Sequence, residues 1–163
     1  MAARGLGHGL LYLGEVTRDH KDIDWFVRAE DSAELTGALL RHGFEPVTGP
    51  PPDLQADFAK DGLDSSFAFV AEDAAGRLVV AGGPWAGAPW PEGMLDAEPG
   101  RIGGLECAVV SPPAQIEIKE MMPVWVPGAP RRAKDAEDIV RLRTAMAERA
   151  RDSARPTMSD HGR

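Results

Sequence analysis

A chain of 163 residues, 43% hydrophobic and 27% charged, holds enough apolar material for one core. The expected organisation is a single domain over residues 1–151 with a disordered tail over 152–163. The net charge of −8 is unevenly spread: residues 1–130 carry nine Lys/Arg against twenty Asp/Glu, and residues 131–163 carry nine against six. An acidic body excludes general nucleic-acid binding, which needs a broad cationic footprint, while the basic end suits a small polyphosphate. The lone Cys107 excludes an internal disulfide, and no apolar run reaches the length of a membrane span. Residues 1–13 carry no clean cleavage pattern, so a cytoplasmic location is expected.

Taken in chain order, residues 6–13 read as a short helix or turn interrupted by Gly7 and Gly9 and followed by Gly14. An apolar strand covers 22–27. Asp31 or Ser32 caps a helix over 33–42, with Leu35, Leu39 and Leu40 inward and Gly43 ending it. A second strand covers 44–47, and Thr48-Gly49-Pro50-Pro51-Pro52 forms a rigid loop. Strands over 67–71 and 77–81 flank the hairpin turn Glu72-Asp73-Ala74-Ala75-Gly76. The Gly/Pro/Trp-rich stretch 82–100 is long for a compact domain and reads as a binding or a mobile loop. Its Trp85 and Trp90 either line a ligand pocket or close the core beneath the loop. A strand pair is expected over 102–110 around Gly103-Gly104. Ser111-Pro112-Pro113 then opens a helix to about Met122, placing Gln115 and Lys119 on one face. The last helix starts near Lys134, repeats Ile139, Leu142 and Met146, and frays after Ala150.

The chemistry concentrates at Thr17-Arg18-Asp19-His20-Lys21-Asp22-Ile23-Asp24. Strand side chains alternate faces, so Asp22 and Asp24 project together, roughly 6 to 7 Å apart at the backbone. Two carboxylates so placed repel each other unless neutralised, and a hard divalent cation with oxygen ligands answers that need. Asp-x-Asp also arises at solvated strand ends. Likewise His20 either contacts a ligand or fixes the turn, and Arg18 either meets phosphate or pairs with a nearby carboxylate.

In this context the chain resembles the aminoglycoside and lincosamide nucleotidyltransferases, of the superfamily that includes DNA polymerase beta. Gly14-Glu15-Val16-Thr17-Arg18-Asp19-His20-Lys21-Asp22-Ile23-Asp24 is similar to the family's Gly-x-x-Thr-Arg-x-His-x-Asp-Ile-Asp. Leu39, Leu40, Gly43 and Phe44 fit its leucine-rich helix ending in Gly-Phe. Arg132-x-Lys134-Asp135-x-x-Asp138 is like its C-terminal Arg-x-Lys-Asp-x-x-Asp. The resemblance implies an α+β nucleotidyltransferase fold, a mixed β-sheet with helices packed mainly on one side. It also implies transfer of AMP from ATP, with Mg²⁺, to a hydroxyl of a small acceptor, with Asp22 and Asp24 as catalytic metal ligands. Arg18, Lys119, Arg132 and Lys134 are then candidates to meet the triphosphate. The structural alternatives are a solvated helix face for Lys119 and a helix-end charge for Lys134. Asp135 and Asp138 read as partners of Arg131 or Arg132. The acidic body suits a cationic acceptor such as an aminoglycoside.

Two positions depart from the family pattern. Its Gly-Gly turn falls at Gly5-Leu6, with glycines displaced to Gly7 and Gly9. The third carboxylate, aligned through Gly76-Arg77-Leu78-Val79-Val80-Ala81, falls on Ala81. The second reading is therefore a catalytically impaired nucleotidyltransferase-like domain that binds a nucleotide or a partner without transfer, with Glu72, Asp73, Asp96 and Glu106 as possible substitutes for the acid.

Overall fold

Strand β2 (Asp22–Arg28) organises the computed structural model, which describes residues 4–6, 10–15, 20 and 22–154. Its alternation sends Asp22, Asp24 and Phe26 to one face and Ile23, Trp25 and Val27 to the other. On one edge β2 pairs antiparallel with β1 (Arg4–Leu6); on the other it pairs parallel with β5 (Leu63–Glu72). Between them in sequence lie α2 (Ser32–Arg41), β3 (Glu45–Val47) and β4 (Gln55–Lys60). The sheet order is β1-β2-β5-β4-β3, and β6 (Leu78–Val80) extends the free part of β5. A separate hairpin joins β7 (Gly100–Ile102) to β8 (Leu105–Cys107), around Gly103-Gly104 as expected.

β4 and the first four residues of β5 are absent from the sequence reading. Asp57, Asp61, Asp64, Ser65 and Ser66 give that stretch a polar, turn-like composition, yet its strands pair from Lys60↔Leu63 to Gln55↔Ala68. The two-residue connection Asp61-Gly62 has φ of 52° and 78°. Positive φ at both central positions is the pattern of the type I′ turn, whose twist matches that of paired strands.

Helices α3 (Pro112–Trp125) and α4 (Ala133–Ser153) complete the structure, with α1 (Leu10–Leu13) against β7. α3 runs past Met122 through Pro123, which removes one backbone donor from its last turn. α4 extends two residues beyond the expected domain end at 151, and residues 155–163 of the expected tail lie outside the described residues.

Both faces of the sheet are covered. Phe26, Val70, Met94, Val110, Ala114 and Ile118 form a core beneath α3; Val27, Leu35, Phe58, Phe67 and Phe69 form another beneath α2. Ile116, Ile139 and Leu142 lock α3 to α4. Trp90 belongs to the first core, its ring edge-on to Phe26 at 4.9 Å and to Trp125 at 6.5 Å, so it closes the core beneath the 82–100 loop. Trp85 is partly exposed on a short 3₁₀ turn. Among the described residues no helix is long and apolar enough to cross a membrane.

Candidate active site

Asp22 and Asp24 open β2 on the face covered by α3, and Phe26 continues the same row into the core. Parallel pairing sets Asp22 opposite Asp64 and Asp24 opposite Ser66. Residues level with each other in a parallel pair share a face, and neighbouring strands lie about 4.8 Å apart. Asp64, on the exposed start of β5, is therefore the acid that the topology brings beside the pair.

Ala81 occupies a different place. Its backbone N–H donates to the Phe69 carbonyl, and its side chain packs with the Val27, Leu35 and Phe69 core on the opposite face of the sheet. An acid there would enter the apolar core beneath α2, well along the sheet from Asp22. Alignment of the third carboxylate with Ala81 thus puts that position on the face away from Asp22 and Asp24, whereas the register of the β4–β5 hairpin sets Asp64 level with Asp22. In sequence Asp64 is inconspicuous, because Asp-Ser-Ser reads as loop. The available signal was the preceding Asp-Gly, a strong hairpin turn between alternating segments.

The cations gather where α3 meets the start of α4. A pocket of about 220 Å³ is walled by Asp24, Lys119, Arg132 and Asp135 and by apolar Met122 and Pro130. Lys119 is buried, as is Gln115 on the same helix face, whose amide donates to the Val110 carbonyl at 2.7 Å. The solvated-face alternative for Lys119 is excluded: Nζ lies 3.0 Å from Asp138 Oδ2 and 3.6 Å from Asp135 Oδ1. Arg132 holds Asp135 through Nε at 2.7 Å and Nη2 at 3.2 Å, as the sequence suggested. Asp138 is held by Lys119, on the other helix, at 3.0 Å. The antiparallel approach of α3 and α4 creates that contact across 19 positions. Lys134, on the first turn of α4, is near enough to act electrostatically on Asp24. His20 is half-buried ahead of β2, while Arg18 and the glycines Gly7 and Gly9 lie outside the described residues.

Burial raises the Asp24 carboxyl above its ordinary range, and Asp22 raises it further; the opposing pull of Arg132, Lys119 and Lys134 does not cancel them. Burial and the neighbouring Asp22 thus both disfavour charge on Asp24, a cost that a cation bound between the two carboxylates would offset. Among the described residues, no group of three or more His, Cys, Asp or Glu is drawn together tightly enough to hold a metal ion. The fit therefore rests on the Asp22–Asp24 pair, with Asp64 one strand away.

No family model matches the chain, and no curated protein matches it. Solved structures do. The lincomycin-bound crystal structure of the lincosamide antibiotic adenylyltransferase LnuA superposes with a TM-score of 0.65 at 14% identity, over 88% of this chain and 87% of that one. The solution structure of the antibiotic-resistance factor ANT(2″)-Ia gives 0.67 at 20% identity, over 94% and 84%. The crystal structure of ANT(2″)-Ia in complex with adenylyl-2″-tobramycin gives 0.67 at 21%, over 92% and 83%. The mixed sheet with its helices is the nucleotidyltransferase fold that the sequence motifs imply.

Proposed function

We propose that this chain, built on the nucleotidyltransferase fold, transfers AMP from ATP to a hydroxyl of a small acceptor, with Mg²⁺ held by Asp22 and Asp24. The observation that carries the reading is the placement of Asp22, Asp24 and Asp64 on one face of two parallel strands, beside a pocket lined by Lys119 and Arg132. In the reaction the acceptor oxygen attacks the α-phosphorus, and the bond to pyrophosphate breaks. The bound cation would supply charge neutralisation at the attacking and leaving oxygens. Arg132 and Lys134, at the start of α4, meet the phosphates from the other side, with Lys119 in the pocket wall between. Asp64 is exposed and unencumbered by the core, so its carboxylate is the group assigned to take the proton leaving the acceptor hydroxyl.

LnuA and ANT(2″)-Ia are antibiotic-modifying proteins, one seen with lincomycin and the other with adenylylated tobramycin. With the net charge of −8, this favours a cationic, hydroxyl-rich acceptor of the aminoglycoside type. The alternative of nucleotide binding without transfer drew its main support from Ala81, which lies on the far face of the sheet. Incubation with labelled ATP, Mg²⁺ and a panel of aminoglycosides and lincosamides tests the proposal: a labelled acceptor is expected, and it disappears when Asp22 and Asp24 are both replaced by Asn. Label transfer that survives the double replacement removes the basis of the assignment.

A further inference from the structure

The Lys119–Asp138 pair is the most deeply buried ionic contact among the described residues, with side chains 4% and 6% exposed. Burial of this kind is a poor source of stability, because removing two charges from water offsets most of their attraction. Its geometry is better explained by what it does to Lys119. A lysine carries its charge on a flexible four-carbon stem, and an unanchored ammonium in the pocket wall would sample many positions before a phosphate arrived. Here Asp138, from a different helix, holds Nζ at 3.0 Å, and Asp135 approaches at 3.6 Å. Two carboxylates around one ammonium would leave the wall negative and hostile to phosphate. Arg132, 2.7 Å from Asp135, and Arg141, 3.9 Å from Asp138, flank the group. Along the row Arg132, Asp135, Lys119, Asp138, Arg141 the charges alternate in sign, so each carboxylate has a cation on either side.

We propose that Asp138 is a positioning residue: its carboxylate fixes the Lys119 ammonium in the wall of the Asp24 pocket, so that the cation meets the nucleotide phosphates without first being ordered. Asp138 touches no substrate and acts through Lys119. The inference rests on the nucleotidyl-transfer reading above and adds to it a role for the second helix in nucleotide affinity.

The test compares wild type, Asp138→Asn and Asp138→Glu by titration with a non-hydrolysable ATP analogue and Mg²⁺, by melting temperature, and by KM for the acceptor. Asp138→Asn removes the anchoring charge and is expected to weaken nucleotide binding by about tenfold, the scale of one hydrogen bond to a charged group, with acceptor KM unchanged. Asp138→Glu keeps the charge but shifts it by one methylene; it is expected to restore the melting temperature and not the nucleotide affinity. That second variant decides the matter if Asp138→Asn does not fold. Recovery of both properties by Asp138→Glu, or a lowered melting temperature with unchanged nucleotide affinity in Asp138→Asn, makes the pair structural only and overturns the proposal. A wild-type chain that binds no Mg²⁺–nucleotide at all overturns the transfer reading as well, whereas binding by wild type that Asp138→Asn matches overturns the positioning role alone.

Discussion

Replacing Asp24 by Asn is expected to make the metal-free protein more stable while removing its response to Mg²⁺. Asn has nearly the same shape, so the change isolates charge. At a separation of about 6.5 Å, the Asp22–Asp24 repulsion amounts to roughly 0.6 kcal/mol in water and about 2.5 kcal/mol at an effective dielectric of 20. Half-burial of Asp24 places it between those limits. Lys119, Arg132 and Lys134 offset part of this, yet the carboxyl remains raised, so the surroundings as a whole disfavour its charge. A net gain of about 1 kcal/mol at neutral pH corresponds to a melting temperature higher by roughly 2 to 4 °C for a chain of this size. The sign follows from linkage. The folded state holds this proton more tightly than the unfolded chain, so the contribution of Asp24 to stability is fully present below its ordinary value of 3.8 and is lost as pH rises through the raised folded value. The difference between wild type and Asp24→Asn should therefore widen from pH 4 towards pH 7. Thermal melts across that range, with and without millimolar Mg²⁺, measure both effects: Mg²⁺ should raise the wild-type midpoint and leave the variant unmoved. A variant less stable than wild type at pH 7, or one still stabilised by Mg²⁺, refutes the reasoning.

Other consequences are equally direct. Asp64→Asn should lower transfer rates by roughly 10²- to 10⁴-fold with nucleotide binding largely retained, whereas Ala81→Asp should add no activity and should destabilise the fold by burying a charge. Kinetics on both variants separates the two positions; gain of rate from Ala81→Asp would reinstate it as the site of the third acid. Lys119→Ala removes the ammonium 3.0 Å from the buried Asp138 and should cost about 3 to 5 kcal/mol in denaturant unfolding, much of it recovered in Lys119→Met combined with Asp138→Leu. Trp90→Ala should cost about 3 to 5 kcal/mol, as expected for emptying a core site, while acceptor KM stays at the wild-type value. A large change in KM with little loss of stability would return Trp90 to the ligand pocket.

The parts of the site legible in sequence are those carried by contiguous residues. Asp22 and Asp24 declare a shared face by spacing alone, and the helix from Ser111 is announced by its capping residue and prolines. Trp90 has two readings in sequence because its surroundings come from β2 and α3, both distant along the chain. Asp64 is hidden in sequence because a polar start to β5 looks like loop until its partners are known, and cross-strand pairing is a tertiary fact. The same applies to Asp138: its i−3 neighbour Asp135 pairs with the nearby Arg132, but the lysine 3.0 Å from Asp138 lies on another helix. Local spacing places Asp22 and Asp24 together, and only topology adds Asp64 and Asp138 to their surroundings.

The Asp61-Gly62 turn shows how far this dependence reaches. Neither residue lines the pocket beside Asp24, yet their two-residue connection sets the β4–β5 pairing and, through it, the phase of the β5 side chains. One residue inserted or deleted between the turn and Ser66 would exchange the faces of that segment, directing Asp64 towards α2 and Ser65 towards Asp24. Gains and losses in this stretch are therefore tolerable only in pairs. Sequence drift that looks neutral by composition, in a segment that could pass for a surface loop, would be constrained by parity alone.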